Sequence, residues 1–284
     1  MVNRMLVFRR QIHIDKLFFT SLLVLLLIIW MFPVALSVMT SLKSDAEMIK
    51  GPFAWPERWY FGAYIKAWNL LDLGRLLLNT VLYAIGGSFL ANLFAAIPAF
   101  ALGRFRIPGG KFIFILLLTG IMLPQQTVVI PLWDILNKIS LNNTILGLIL
   151  VHGVYGMPSQ LLILRGFIQN IPKELESAAR VDGASDFGVF RHIILPLLTP
   201  AFAVTFTLNF MGIWKEFFFA LILLNDDKLF PVTVGVLKVT TAQYFSSWNL
   251  PAATLIIAQL PMIIFFIFAY RWITKGIFAG AIKG

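Results

Sequence analysis

Long apolar blocks separated by short polar breaks dominate the chain. Residues 17–39 carry no charge and, at about 1.5 Å per residue, are enough to cross a hydrocarbon core of roughly 30 Å. The same test, relaxed once for the adjacent charges Lys215 and Glu216, picks out 76–103, 112–133, 141–164, 195–224 and 250–270. The pattern predicts an all-α membrane protein with six transmembrane helices in a single domain, 1–284, and both termini on one side. No linker or internal repeat divides it.

Composition agrees. Only 13% of residues are charged and 59% are hydrophobic, where a soluble domain carries about a quarter charged residues. The net charge of +10 does not point to nucleic acid, because the basic residues sit at block ends instead of forming a patch interleaved with aromatics. Arg4, Arg9, Arg10 and Lys16 precede the first block, Arg104, Arg106 and Lys111 fill one short turn, and Arg271, Lys275 and Lys283 follow the last block. Positive flanks mark the cytoplasmic side, so both termini are expected in the cytoplasm of a multi-pass cell-membrane protein. The mixed-charge loops 40–75 and 225–249 then lie outside. The first block is too long for a signal h-region and reads as an uncleaved anchor. With no cysteine, disulfides and thiolate chemistry are excluded.

Gly87, Ala91, Ala95 and Ala99 recur every four residues in the second block. Such a stripe lets another helix approach closely. We expect intramolecular packing, with a subunit interface as the alternative.

The polar gap at 170–200 is the most informative stretch. Pro172 suits a first helical turn, Glu174 and Glu176 favour the positive end of a helix, Glu176 and Arg180 have i,i+4 spacing, and Gly183 supplies a left-handed stop. Leu175, Ala178, Ala179 and Asp182 fall on one side, a narrow face suited to a groove. A second short helix is expected to lead into the membrane.

The run from Glu174 to Ala184, with Ile193, Leu195, Pro196 and Pro200 after it, resembles the EAA loop of importer permeases in the ATP-binding cassette (ABC) superfamily. The stretch from Met122 to Leu132, the segment Gly212 to Phe217 and the ending Gly276 to Gly284 are similar to the second permease of carbohydrate importers, the MalG type. The resemblance implies a coupling helix at Glu174, Glu176, Ser177, Ala178, Ala179, Asp182, Gly183 and Ala184 that docks into an ATPase subunit. It also implies a MalF-like second permease, an ATPase dimer holding ATP and Mg, an extracytoplasmic solute-binding protein and a sugar moved by alternating access. Two departures stand out. Ser177 occupies the place of the glutamate before the two alanines, leaving Glu174 or Glu176 to take its part, and Lys215 replaces the usual Asn after Trp214.

Inside the blocks, Gln125 and Gln126 follow Pro124, where amides beside a backbone break can hydrogen-bond sugar hydroxyls in a pore. With Tyr155, Trp214 and Glu216 they form the candidate substrate pathway; interhelical hydrogen bonding is the rival reading for the amides. Lys215 and Glu216 are expected at the outer membrane interface with the lysine snorkelling, and His152 as a packed histidine. Trp30, Tyr83, Trp133 and Tyr244 read mainly as interfacial aromatics. The chain has no GxxxxGK[ST] phosphate loop and no metal spacing among its three histidines, so it is not expected to be an enzyme. A glycerol-phosphate importer permease is the alternative within the class. An ion-coupled secondary transporter would need more intramembrane charge than Lys215 and Glu216 provide.

Overall fold

Unbroken apolar runs leave the backbone one way to satisfy its polar groups inside a bilayer, the helix, and the computed structural model of the protein is helical without strands among the described residues. It describes residues 2–51, 53–241 and 247–281, with side chains placed between 16 and 272. Tyr244 and Lys283 lie outside these residues, as do the side chains of Arg4, Arg9, Arg10 and Lys275.

The chain divides into two units. The first comprises Met1–Leu70 and Val239–Ile257, the second Leu71–Lys238 and Ala258–Gly284. In the first, α1 (Val2–Ser41) is exposed from Lys16 to Ala35 and becomes buried at Thr40 and Ser41. Ser44 then starts the short α2 (Asp45–Met48) with a capping box, its hydroxyl meeting the N–H of Glu47 while the Glu47 carboxylate accepts from the Ser44 N–H. Glu47 also accepts from the backbone N–H groups of Glu57 and Arg58, at 2.8 and 3.3 Å. These donors, the Ser44 and Glu57 N–H groups foremost, draw its carboxyl down to about 2. Asn249, opening α14 (Asn249–Ala281), donates to Lys43 O at 3.0 Å and Asp45 Oδ1 at 2.8 Å. Gly62–Leu71 forms α3.

The second unit is built on α4 (Leu73–Arg104) and α7 (Ile145–Asn170). The stripe Gly87, Ala91, Ala95, Ala99 is buried, and it packs within the chain as expected. A Cβ on Gly87 would stand 2.7 Å from His152 Cβ, and one on Gly153 would stand 2.7 Å from Leu90 Cβ. Neither position admits a side chain while the helices stay this close. A polar stitch joins α4 to α11 (Thr199–Trp214): Thr205 Oγ1 donates to Asn92 Oδ1 at 2.7 Å, and Asn92 Nδ2 donates to Phe202 O at 3.2 Å.

Two predicted spans are not single helices. The third runs as α5 (Gly110–Leu118), a 3₁₀ turn (Thr119–Met122) and, beyond Leu123 and Pro124, α6 (Gln125–Lys138), with a bend of 103°. Pro124 has no N–H to continue a helix and disfavours helical backbone at Leu123. The fifth enters through α9 (Asp186–Val189), a π turn (Phe190–Ile194) and α10 (Leu195–Leu197), bends by 68° into α11 and breaks at Lys215–Phe217 before α12 (Phe218–Leu223). Hydropathy averages over such breaks. Four helices among the described residues are long and apolar enough to span, or up to six if each bent pair makes one span.

The loop after α12 is folded, not a plain connector. Asn79 donates to Lys228 O and Phe230 O at 2.8 and 3.1 Å, Tyr83 to Leu229 O at 2.6 Å, and the Val232 N–H to Thr80 Oγ1 at 2.8 Å. These bonds sew α4 to the 3₁₀ turn Asp227–Leu229 and to α13 (Val232–Val239).

Candidate coupling site

The segment joining α7 to α11 starts with α8 (Lys173–Val181). Pro172 takes the cap position, one residue ahead of the expected first turn. At the other end Gly183 has φ +86°; its N–H bonds Arg180 O at 3.0 Å and the Ala184 N–H bonds Ala179 O at 2.9 Å. This crossed pair is a Schellman stop, and it needs the left-handed residue that glycine supplies. Ser185 restarts the chain by accepting from the Gly188 N–H at 3.2 Å. Pro196, lacking an N–H for the carbonyl four residues back, coincides with the widened turn at Phe190–Ile194.

The Glu176–Arg180 pair expected from spacing does not form. Glu176 Oε1 meets Arg104 Nε at 2.5 Å, with both side chains almost wholly buried, and Arg180 turns to Asp186 at 2.9 Å on the surface. Helical spacing permits the local pair, but an exposed i,i+4 pair contributes only about 0.3–0.5 kcal/mol. The inward pair unites two otherwise costly buried charges. Ser177 Oγ donates to Lys173 O at 3.1 Å, so this hydroxyl is engaged within its own helix.

The predicted face divides. Leu175, Ala178 and Asp182 are exposed, whereas Ala179 and Ala184 pack against a cluster that includes Ala99, Phe100, Leu164, Ile168, Val189 and Ile194. Glu174 is exposed. Two apolar side chains of the same segment not singled out from sequence are exposed, Val181 at 87% and Phe187 at 67%. Their signal was an apolar residue outside the long blocks.

The pathway candidates part company. Tyr155 and Glu216 come together around Phe219: the Tyr155 ring meets Phe219 edge-on at 5.2 Å, and Glu216 Oε1 accepts from the Phe219 N–H at 2.9 Å. Glu216 Oε2 is buried 3.9 Å from His152 Nε2 with no hydrogen-bond partner among the described residues. Lys215 is exposed while Glu216 points inward, so the two do not share an interfacial environment. The Tyr155 hydroxyl donates to Leu123 O at 2.8 Å, reaching the break that precedes Gln125 and Gln126. Gln125 is half-buried and Gln126 exposed. Trp214 is buried and donates to Ala258 O at 3.2 Å, packing α11 against α14. Among the described residues no cluster of His, Asp and Glu could hold a metal ion.

Residues 86–279 match the family model described as "Binding-protein-dependent transport system inner membrane component". The chain belongs to this family. It is the family of ABC permease membrane subunits, which are not enzymes, and the chain is accordingly a multi-pass inner-membrane protein. The permease is 30% identical over 97% of its length to a probable ABC transporter permease, YurM, of Bacillus subtilis, 91% of which is covered. It is 28% identical over 93% of its length to the diacetylchitobiose uptake system permease NgcG of Streptomyces coelicolor, of which 87% is covered. A crystal structure of a bacterial ABC transporter for import of the acidic polysaccharide alginate contains a chain of the same fold. Its TM-score is 0.79 at 21% identity, with 91% of this permease and 96% of that chain covered.

Proposed function

We propose that this permease is one of two membrane subunits of an ATP-driven, binding-protein-dependent carbohydrate importer, acting as a single domain over 1–284. One observation carries the reading. Between two membrane helices, outside the apolar blocks, stands a capped helix fixed to the helix ends on one side and open on the other at Leu175, Ala178 and Asp182. That is the form of a handle. In this reading α8 sits in a groove of an ATPase subunit that binds ATP and Mg, and ATP-driven closure of the ATPase dimer moves it as a rigid body. The cytoplasmic side is the one marked by Arg104, Arg106 and Lys111; the bent pairs each count as one span, giving six, with both termini cytoplasmic. A second, different permease completes the pore, and an external binding protein delivers the solute, the latter supported by the family description. A sugar is supported by the diacetylchitobiose and alginate systems to which the chain is similar. Tyr155, Glu216, Gln125 and Gln126 are the proposed polar positions of the pathway.

Replacing Gly183 by Val tests the handle. A Cβ there would meet nothing within 4 Å, so the cost is the left-handed backbone alone, roughly 1–2 kcal/mol. The variant should insert normally but lose co-purification with the ATPase subunits and ATP-dependent uptake. Retention of both, or uptake driven by an ion gradient without the ATPase subunits, would overturn the reading.

A further inference from the structure

Arg104 is the last residue of α4, and its side chain gathers three helix ends. Its Nε faces Glu176 Oε1 of α8 at 2.5 Å, and its Nη2 donates to Ile171 O at 2.5 Å. Ile171 is the C-cap of α7, so that carbonyl is one of the orphan acceptors at a helix end. A second arginine secures the same base. Arg165 of α7 donates from Nε to Leu102 O at 3.2 Å and lies 4.2 Å over the Phe114 ring of α5. Gly103 lets the backbones close, since a Cβ there would be 3.2 Å from Ile168 Cγ2.

The apolar contacts of α8 and its stop with this base are small, through Ala179 and, past Gly183, Ala184. Such contacts are non-directional, and a short helix held by them alone can roll or slide. The ion pair with Glu176 adds attraction between opposite charges, and the Arg104 Nη2 bond to Ile171 O fixes direction as well as distance. We infer that Arg104 is a positioning residue whose pairing with Glu176 delivers displacement of α8 to the ends of α4 and α7 together. Glu176 therefore faces into its own subunit and does not take the place of the glutamate missing at Ser177. The inference rests on the docking role proposed for α8.

The test uses the complete transporter in proteoliposomes, with ATP hydrolysis and solute uptake measured on the same preparation. The double variant Arg104→Met with Glu176→Leu removes both charges and keeps the site filled, which spares the fold the burden of one buried unpaired charge. We expect the ATPase subunits to co-purify and the solute moved per ATP hydrolysed to fall about tenfold, within the roughly 5–150-fold span of typical coupling between sites. The swap Arg104→Glu with Glu176→Arg should recover part of that ratio, which a purely structural filler would not. An unchanged ratio in the double variant overturns the inference. So does loss of the ATPase subunits from it, since that would place Glu176 at the docking surface. Should the double variant fail to insert, Arg104→Lys, which keeps the charge but not the fork, is read by the same ratio: a fall supports the inference and no change overturns it. Absence of ATPase subunits from the unmodified transporter would instead sink the docking reading itself.

Discussion

Glu176 and Glu216 are both carboxylates buried in an apolar setting of the second unit, and the protein treats them differently. Glu176 lies against Arg104, which also satisfies the end of α7. Glu216 is served on one oxygen by the Phe219 N–H, while the other faces His152 at 3.9 Å across a gap. A buried carboxylate with an opposite charge in contact ties elements together, whereas one whose nearest such group is a histidine 3.9 Å away is ready for a different partner. The first arrangement suits the strut proposed for α8, which would move without deforming. The second suits the broken turn between α11 and α12, where the backbone has already left the helix.

The largest expected effect comes from breaking the strut on one side only. Arg104→Met leaves Glu176 buried without its cation, and removal of one partner from such a pair costs about 3–5 kcal/mol. Thermal unfolding of the detergent-purified permease should show a clear drop in Tm. Adding Glu176→Leu should restore most of it. Stability that did not depend on the second substitution would mean that the pair is exposed or unformed.

Which of these features could be read from sequence follows from their range. Gly183 was legible because a left-handed stop is a local event and glycine after a helical run is its usual mark. The packing of Gly87, Ala91, Ala95 and Ala99 was legible because small residues at four-residue spacing share one helix face. Arg104 and Glu176 belong to separate helices, and local spacing pointed Glu176 to Arg180 instead. The break beside Pro124 was legible but its 103° bend was not, and the break at Lys215–Phe217 was hidden by apolarity on both sides, although the charged pair marked the spot. The burial of Glu216 depends on His152 and Phe219, brought from other turns of the fold.

A middle-sized contrast is available at Glu216. Glu216→Gln keeps an acceptor for the Phe219 N–H and removes the oxygen that lacks a hydrogen-bond partner, so it should shift Tm by less than about 1 kcal/mol would, the range of an ordinary substitution. Glu176→Gln, which gives up the charge opposite Arg104, should destabilise more. Equal shifts in the same purified permease would erase the distinction between the two carboxylates.

The smallest effect is expected at Glu47 in the first unit, a carboxylate that is fully matched yet open to solvent. Its carboxyl is drawn from 4.5 to about 2 by the N–H groups of Ser44 and Glu57 and by the Ser44 hydroxyl. A depressed carboxyl stabilises the folded loop above the unfolded value near 4.5 and loses that contribution as pH falls toward 2. Hydrogen exchange at the Glu57 and Arg58 amides should therefore keep its protection from neutral pH to about 4.5 and lose it progressively below. In Glu47→Gln that pH-dependent loss should disappear, with protection lower than the wild type at neutral pH because a neutral acceptor holds these amides less firmly. Uptake should be unchanged, since exposure to water leaves the carboxylate little mechanical grip on the membrane helices. Persistence of the acid-dependent step in the Gln variant would assign it to Asp45, whose carboxyl is also lowered, chiefly by the Ser247 hydroxyl.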